Sequence, residues 1–143
     1  MNTTFEEVID IYLSKIENWD YLDYTEEELT EELVPLLQST LARCSFDLSD
    51  IKADYESEEF NRELQPIEIE ILALGLVEGF ISQKVNSIKV LKQHMSVKDF
   101  NLYSSANMLK QLMVAKDIAQ KEMQYWLQRL SWYNKAKDIK DGE

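Results

Sequence analysis

A long, almost uninterrupted apolar run in the middle of the chain restricts its fold more than any other feature. The run begins at Pro66, a residue that fits the first turn of a helix, and reads IEIEILALGLVEGFISQ over residues 67–83. Its first five residues alternate as in a strand, but the run is too long for an ordinary strand. We therefore predict a buried central helix over 66–83, in which Gly75 and Gly79, one turn apart, allow another helix to approach closely.

Two amphipathic helices are predicted before this central one. The first covers about 4–18 and begins with the capping-box pattern TFEE at residues 4–7. The second covers about 26–45 and begins with TEEE at residues 25–28. A proline inside a helix removes a hydrogen bond, so Pro35 is expected to bend or break the second helix.

The last predicted helix is the longest, with about 30 residues or roughly 45 Å from about Ser104. Its apolar residues recur at steps of three and four, as in a heptad seam. They are Met108, Leu112, Ala115, Ala119, Met123, Trp126, Leu130 and Tyr133, with Leu109, Met113 and Leu127 beside them. This length exceeds what so small a domain needs, so part of the helix is expected to project or to pack between subunits. The fold class predicted is all-α, a small bundle of about four helices with a long C-terminal helix.

The connecting segments give weaker signals. An aromatic connector, expected to fill the core or to anchor an interface, follows the first helix: Trp19, Tyr21, Leu22 and Tyr24. Residues 46–63 are polar and acidic and predict a loop with a short helix near 57–62. Residues 84–103 are apolar and basic, and predict an extended arm or short hairpin that contacts a neighbouring subunit or folds on its own domain. We therefore expect one helical domain over 1–134 and a polar, frayed tail over 135–143.

Composition excludes several classes of protein and offers no catalytic chemistry. Among 143 residues, 45% are hydrophobic and only one is cysteine, which predicts a single cored domain without internal disulfides, suited to a reducing compartment. No apolar run is long enough to span a membrane, and residues 1–10 are too polar for a signal peptide. Cys44 is expected to be buried and His94 to lie on the surface. Without zinc spacing, a phosphate loop or a calcium loop, we expect no enzyme, no metal site and no cofactor.

Charge is divided unevenly along the chain. Residues 1–70 hold 20 acidic and 4 basic side chains, whereas residues 71–143 hold 7 acidic and 11 basic ones. The acidic half repels nucleic-acid phosphate. Three interpretations follow: an ordinary solvated face, a surface that DNA passes without binding or that mimics DNA, and attraction between opposite halves of neighbouring copies.

Seven short segments stand in an order and spacing that covers most of the chain. They are YTEEE at 24–28, LAR at 41–43, IEIEILA at 67–73, VNS at 85–87, KDF at 98–100, YS at 103–104 and ANMLK at 106–110. In this order they resemble the head–tail connector, or adaptor, proteins in the neck of tailed phages and prophages of Firmicutes. The chain departs from that pattern in having Met108 where a polar residue is usual and fewer charges in the last helix.

The resemblance implies a structural protein of the virion neck, made in the host cytoplasm and without a cofactor. Such adaptors form a homo-oligomeric ring below the portal protein, extend the DNA channel and receive a stopper or tail-completion protein. Genomic DNA passes them without specific binding during packaging and ejection. Head-to-tail contacts between copies are the kind that closes a ring.

Three sets of residues acquire expected roles in such a ring. An acidic set is expected to face the channel, where it keeps DNA from binding: Glu26, Glu27, Glu28, Glu31 and Glu32. A set in the arm is expected to contact the next subunit: Val85, Ile88, Lys89, Val90, Leu91 and Lys92. The resemblance further implies that a C-terminal set, within about 127–143, docks on the portal: Leu127, Leu130, Trp132, Tyr133, Lys135 and Lys137.

Two alternatives use the same features differently. An acidic DNA mimic that inhibits a nuclease or repressor would use the acidic half in a compact monomer or dimer. A regulatory interaction protein would use the long helix as a coiled coil. Ring assembly on a portal separates the connector from both, and binding to a DNA-handling enzyme in competition with DNA favours the mimic.

Overall fold

A computed structural model describes residues 1–16, 21–45, 47–93 and 105–141, and for residues 90–93, 105, 106 and 141 it describes the backbone alone. Within these ranges the chain forms four α-helices and one small hairpin. They are α1 (Phe5–Lys15), α2 (Glu26–Arg43), β1 (Ala53–Asp54), β2 (Glu59–Phe60), α3 (Pro66–Gln93) and α4 (Ser105–Asp141). The predicted all-α bundle with a long C-terminal helix is confirmed.

The apolar run forms the centre of the bundle, as predicted. Helix α3 packs against α1, α2 and α4, and every residue from 71 to 78 is buried. The two glycines lie where α2 crosses α3. A methyl group added at Gly75 would lie 2.2 Å from Cγ2 of Thr40, and one at Gly79 would lie 2.8 Å from Cδ2 of Leu36. The predicted close approach of another helix is thereby confirmed, and α2 is the helix that approaches.

The extended arm predicted over 84–103 is wrong for residues 84–93, because α3 continues through them to Gln93. The physical reason is a helical period that continues past the apolar run. Ile81 and Val85 are buried and Ile88 is partly buried, at steps of four and three on one face of α3. The remainder of the predicted arm, residues 94–103, lies outside the described residues, as does His94.

Helix α2 runs without interruption through Pro35, so the predicted break does not occur. Pro35 is exposed, and water can therefore hydrogen-bond to the backbone carbonyl that the missing N–H leaves free. The Oγ1 atom of Thr25 accepts a hydrogen bond from the N–H of Glu28 (3.2 Å) and caps the helix start. The opposite face packs on α3 through Leu33, Leu37 and Thr40.

A capping box closes the first turn of α1, and hydrogen bonds join the chain start to the hairpin. Thr4 and Glu7 form the predicted capping box of α1, which buries Phe5, Val8, Ile9 and Tyr12 and ends earlier than predicted, at Lys15. The short helix predicted near 57–62 is wrong, because residues 53–60 form the β1–β2 hairpin. The hairpin holds the chain start through hydrogen bonds from the N–H of Phe5 to the carbonyl of Glu58 (2.9 Å) and from the N–H of Phe60 to that of Thr3 (2.8 Å).

The aromatic connector contributes to the core through Tyr21. Its hydroxyl lies 2.9 Å from that of Tyr12, and its ring centroid lies 5.8 Å from that of Phe80. Leu22 and Tyr24 are exposed, and Trp19 lies outside the described residues. The connector therefore fills the junction of α1 and α3, as expected, with one of its residues.

Helix α4 packs on the bundle through the middle part of its predicted seam. Ala119, Met123 and Leu130 are buried against the rest of the bundle, and Leu112, Ala115 and Trp126 pack partly against the same core. The two ends of the seam, Met108 and Tyr133, are more than half exposed. Residues 135–141, predicted as a frayed tail, continue α4 as helix, while residues 142 and 143 lie outside the described residues.

Candidate assembly surfaces

The acidic residues predicted to face a channel lie on the first two turns of α2. Glu26, Glu27, Glu28, Glu31 and Glu32 are all exposed. Their position at a helix N-terminus is favourable, since the positive end of the helix dipole stabilises carboxylates in the first turn. The local sequence therefore supports a dense negative charge on these two turns, which carry no opposing cation.

The fold brings acidic residues of α1 and of the hairpin turn beside the start of α2. A shallow depression of about 250 Å³ lies between α1, the start of α2 and the hairpin turn. We call it the acidic depression. Its rim is formed by Glu6, Asp10, Glu26, Glu27 and Glu58, and its floor includes Ile9, Leu13 and Leu29. Sequence analysis missed Glu6, Asp10 and Glu58 because they are distant from α2 in the chain. For Glu6 and Asp10 the available signal was their four-residue spacing on the polar face of α1.

The last turns of α4 extend past the chain's own core. Every residue from 132 to 140 is exposed, including four of the six residues predicted to dock on a portal. Trp132 is 71% exposed and Tyr133 54%, and Lys135 and Lys137 follow them. The other two residues of that set are placed differently, since Leu130 is buried in the core and Leu127 packs partly against it. We call residues 132–140 the projecting end.

The residues predicted to contact a neighbouring subunit from an arm belong instead to α3. Val85 is buried within the chain, Ile88 is partly buried and Lys89 is exposed. The side chains of Val90, Leu91 and Lys92 are outside the described set. Of the described residues of this group, Lys89 therefore presents the most surface to a partner.

Helix α4 carries a second apolar stripe, which sequence analysis missed. It consists of Val114, Ile118, Tyr125, Trp132 and Ile139, each at least half exposed, and the last four are spaced by seven residues. We call it the outer stripe. At 3.6 residues per turn it lies more than a quarter-turn from the buried seam. The seven-residue spacing was the signal that could have revealed it.

A larger, mainly apolar cleft of about 1150 Å³ lies between the end of α1, α3 and the first half of α4. Leu74, Phe80, Ile81 and Leu112 contribute apolar surface, while Lys84 lies at its edge with its ammonium 5.0 Å from the ring centroid of Phe80. Its lining is mainly apolar and also includes the polar side chains of Ser87 and Glu122.

Two buried carboxylates of α3 connect this helix to neighbouring segments through ion pairs and hydrogen bonds. Glu78 of α3 forms an ion pair with Arg43 of α2 and accepts a hydrogen bond from the side-chain amide of Gln120 of α4 (3.0 Å). Glu68 accepts two hydrogen bonds from the guanidinium of Arg62, at 2.9 and 2.6 Å. Both carboxylates have partners, so their arrangement is structural. The described part of the chain contains no group of His, Cys, Asp and Glu side chains that could hold a metal ion.

Cys44 is buried, as predicted, and burial raises the pKa of its thiol. Because the thiolate is the reactive form, we expect the native protein to react with a thiol reagent on the order of 100-fold more slowly than the denatured chain at the same pH. Reaction with a chromogenic disulfide at pH 8, with and without denaturant, measures this ratio. Equal rates in the two states would contradict the burial of Cys44.

No helix among the described residues has a stretch that is both long and apolar enough to cross a lipid bilayer. Comparison of the whole chain with protein-family models, with curated proteins and with solved structures found no match.

Proposed function

We propose that this chain is a head–tail connector of a phage neck, a structural subunit that assembles in a ring and joins a portal protein to a stopper or tail protein. In this proposal the chain works through its surfaces and carries no catalytic site. The resemblance described above supplies the biological setting. The exposed residues of the folded chain support one surface for docking on the portal and another for the passage of DNA.

The projecting end of α4 is the observation on which the proposal mainly depends. The helix has 37 residues, or about 55 Å, and every residue from 132 to 140 in its last turns is exposed. They carry Trp132 and Tyr133, two large aromatic side chains of the type that anchors protein interfaces, beside Lys135 and Lys137. A helix that continues past its own core with exposed aromatic residues is suited to insertion between the subunits of a partner.

The acidic residues support passage of DNA. Glu28, Glu31 and Glu32 are exposed on α2 outside the acidic depression, and together they repel phosphate. A channel wall of this character lets DNA slide, because the counterion release that drives binding needs cations on the protein. Glu26 and Glu27, predicted with them, belong to the depression and its apolar floor, which DNA repulsion does not require.

Recovery of partners tests the proposal. Tagged protein is isolated from a lysate of cells that are producing the phage, and the partners are identified by mass spectrometry. We expect a portal protein and a neck or tail protein. The double variant Trp132→Ser/Tyr133→Ser should recover at least about tenfold less portal protein, since exposed aromatic anchors dominate such contacts.

The variant Gln124→Ala is the matched control, because Gln124 is exposed on the same helix but outside the projecting end. It should recover the portal protein as the unaltered chain does. Equal recovery by the unaltered chain and the aromatic double variant would contradict docking through the projecting end. Absence of any virion protein among the partners would overturn the connector proposal.

The exposed acidic face also favours one alternative function, a DNA mimic. Five carboxylates on two turns of α2, with Glu6 and Asp10 of α1 nearby, form the kind of surface that such inhibitors present. In that case the same experiment would recover a nuclease or repressor, and added DNA would displace it. The projecting end would then be dispensable for binding.

A further inference from the structure

Part of the outer stripe lies on the body of α4, before the projecting end begins. Val114, Ile118 and Tyr125 are 60%, 52% and 51% exposed, on a part of the helix whose other side is buried in the bundle. A row of three large apolar side chains at steps of four and seven is the pattern of a helix that packs against a partner along its length. Ile118 also lines the apolar cleft beside α3, and all three side chains keep at least half of their surface exposed.

The net charge of the helix that carries these three residues is positive and limits which partner they fit. Lys121 lies between Ile118 and Tyr125 on the same face and forms an ion pair with Asp117 (2.9 Å), and Arg129 donates a hydrogen bond to the Tyr125 hydroxyl (3.1 Å). Over its full length α4 carries seven basic and four acidic residues. Pairing of two α4 helices through this stripe would bring together two helices of net positive charge, which is less favourable than contact with an acidic surface.

A complementary surface is present elsewhere on the same chain. The acidic depression combines five carboxylates with an apolar floor, whereas α4 combines apolar side chains with cations. Its volume of about 250 Å³ is below the roughly 300–1,000 Å³ of small-molecule sites and fits one or two side chains of a partner. When the apolar surfaces of two partners are surrounded by charges of opposite sign, these charges attract the partners and fix how they align.

We propose that the face of α4 formed by Val114, Ile118 and Tyr125 in one copy docks over the acidic depression of a second copy, with one or two of these side chains entering the depression and Lys121 and Arg129 meeting its carboxylates. This inference depends on the proposed function, since it names the contact that builds the ring. The two surfaces belong to different elements, so the contact is heterologous and each copy retains one free surface of each kind. Such contacts propagate from copy to copy until the ring closes. The projecting end remains available for the portal.

Cross-linking between isotopically distinct copies tests the contact. Equal amounts of unlabelled and ¹⁵N-labelled full-length chain are mixed and treated with a carbodiimide, which joins lysine to carboxylate. Peptides that contain one labelled and one unlabelled partner identify links between copies. We expect these to join Lys121, or its neighbours Lys110 and Lys116 on α4, to Glu6, Asp10, Glu26, Glu27 or Glu58.

Two variants separate this contact from general association. The double variant Ile118→Ser/Tyr125→Ser should reduce these links about tenfold, because it removes the apolar side chains while retaining the lysines. Met113→Ser is the matched control, since Met113 is 51% exposed on α4 but lies outside the outer stripe. It should leave the links unchanged. Circular dichroism should show the same helix content in all three proteins.

Other outcomes would overturn the inference or separate it from the proposed function. Mixed-isotope links from Lys121 to Asp117 or Glu122 would indicate pairing of two α4 helices instead. Absence of mixed-isotope links at the depression, or links that persist unchanged in the double variant, would also overturn it. Rings that form with links elsewhere would leave the connector proposal intact and remove this contact. Links at the depression in a chain that recovers no portal protein would support the contact and remove the connector.

Discussion

Replacement of Tyr12 by alanine is expected to lower the free energy of unfolding by about 3–5 kcal/mol, the usual cost of removing a buried aromatic ring. Tyr12 has no exposed surface. Its ring meets that of Phe80 edge-on with centroids 6.4 Å apart, and that of Tyr21 at 6.3 Å. One side chain therefore connects α1, α3 and the aromatic connector. The free energy of unfolding of a domain of this size is only about 5–15 kcal/mol, so the loss would be evident in urea denaturation.

The variant Tyr12→Phe separates the ring from its hydroxyl. It retains the aromatic contacts and removes the hydrogen bond between the Tyr12 and Tyr21 hydroxyls (2.9 Å), for an expected loss of about 1 kcal/mol. Both variants are measured by the same denaturation experiment. If alanine lowered the free energy of unfolding no more than phenylalanine does, the ring would not have the role in packing that its burial indicates.

Replacement of Gly75 by alanine is expected to lower the free energy of unfolding by about 2–3 kcal/mol, although alanine favours helix by about 1 kcal/mol. The added methyl group would lie 2.2, 2.6 and 2.9 Å from Cγ2, Oγ1 and Cβ of Thr40. Thr40 is fully buried, and its hydroxyl donates a hydrogen bond to the carbonyl of Leu36 (2.8 Å). Because its Cβ is also too close, rotation of the side chain does not relieve the clash, and α2 and α3 must move apart.

The variant Gly79→Ala is the matched control, one turn further along the same helix. Its methyl group would meet Leu36 first at Cδ2, the end of a flexible side chain that can turn away. We therefore expect a change within about 1 kcal/mol of zero, because the gain in helix propensity offsets a small displacement. Thermal unfolding of both variants measures the difference. Equal stability of the two would contradict the tight crossing of α2 and α3 at Thr40.

The candidate surfaces could be predicted only where a single segment defines them. The five glutamates of α2 lie within seven consecutive residues, so their place on the first two turns of one helix followed from the sequence. The acidic depression joins three segments, and the contribution of Glu58 depends on the hairpin turn that places it beside α1 and α2. Leu130 shows where a segment by itself does not define a surface. It was assigned to portal docking with its neighbours, yet it is buried in the core.

The sequence by itself determined the helices, the start of each of the first three and the buried role of the apolar run. Capping residues, glycine spacing and apolar periods act over a few positions, so they can be recognised locally. Tertiary structure alone decided that residues 53–60 pair as a hairpin against the chain start and that the outer stripe of α4 is exposed. These outcomes depend on which distant segments cover a given face, since burial is a property of contacts between elements.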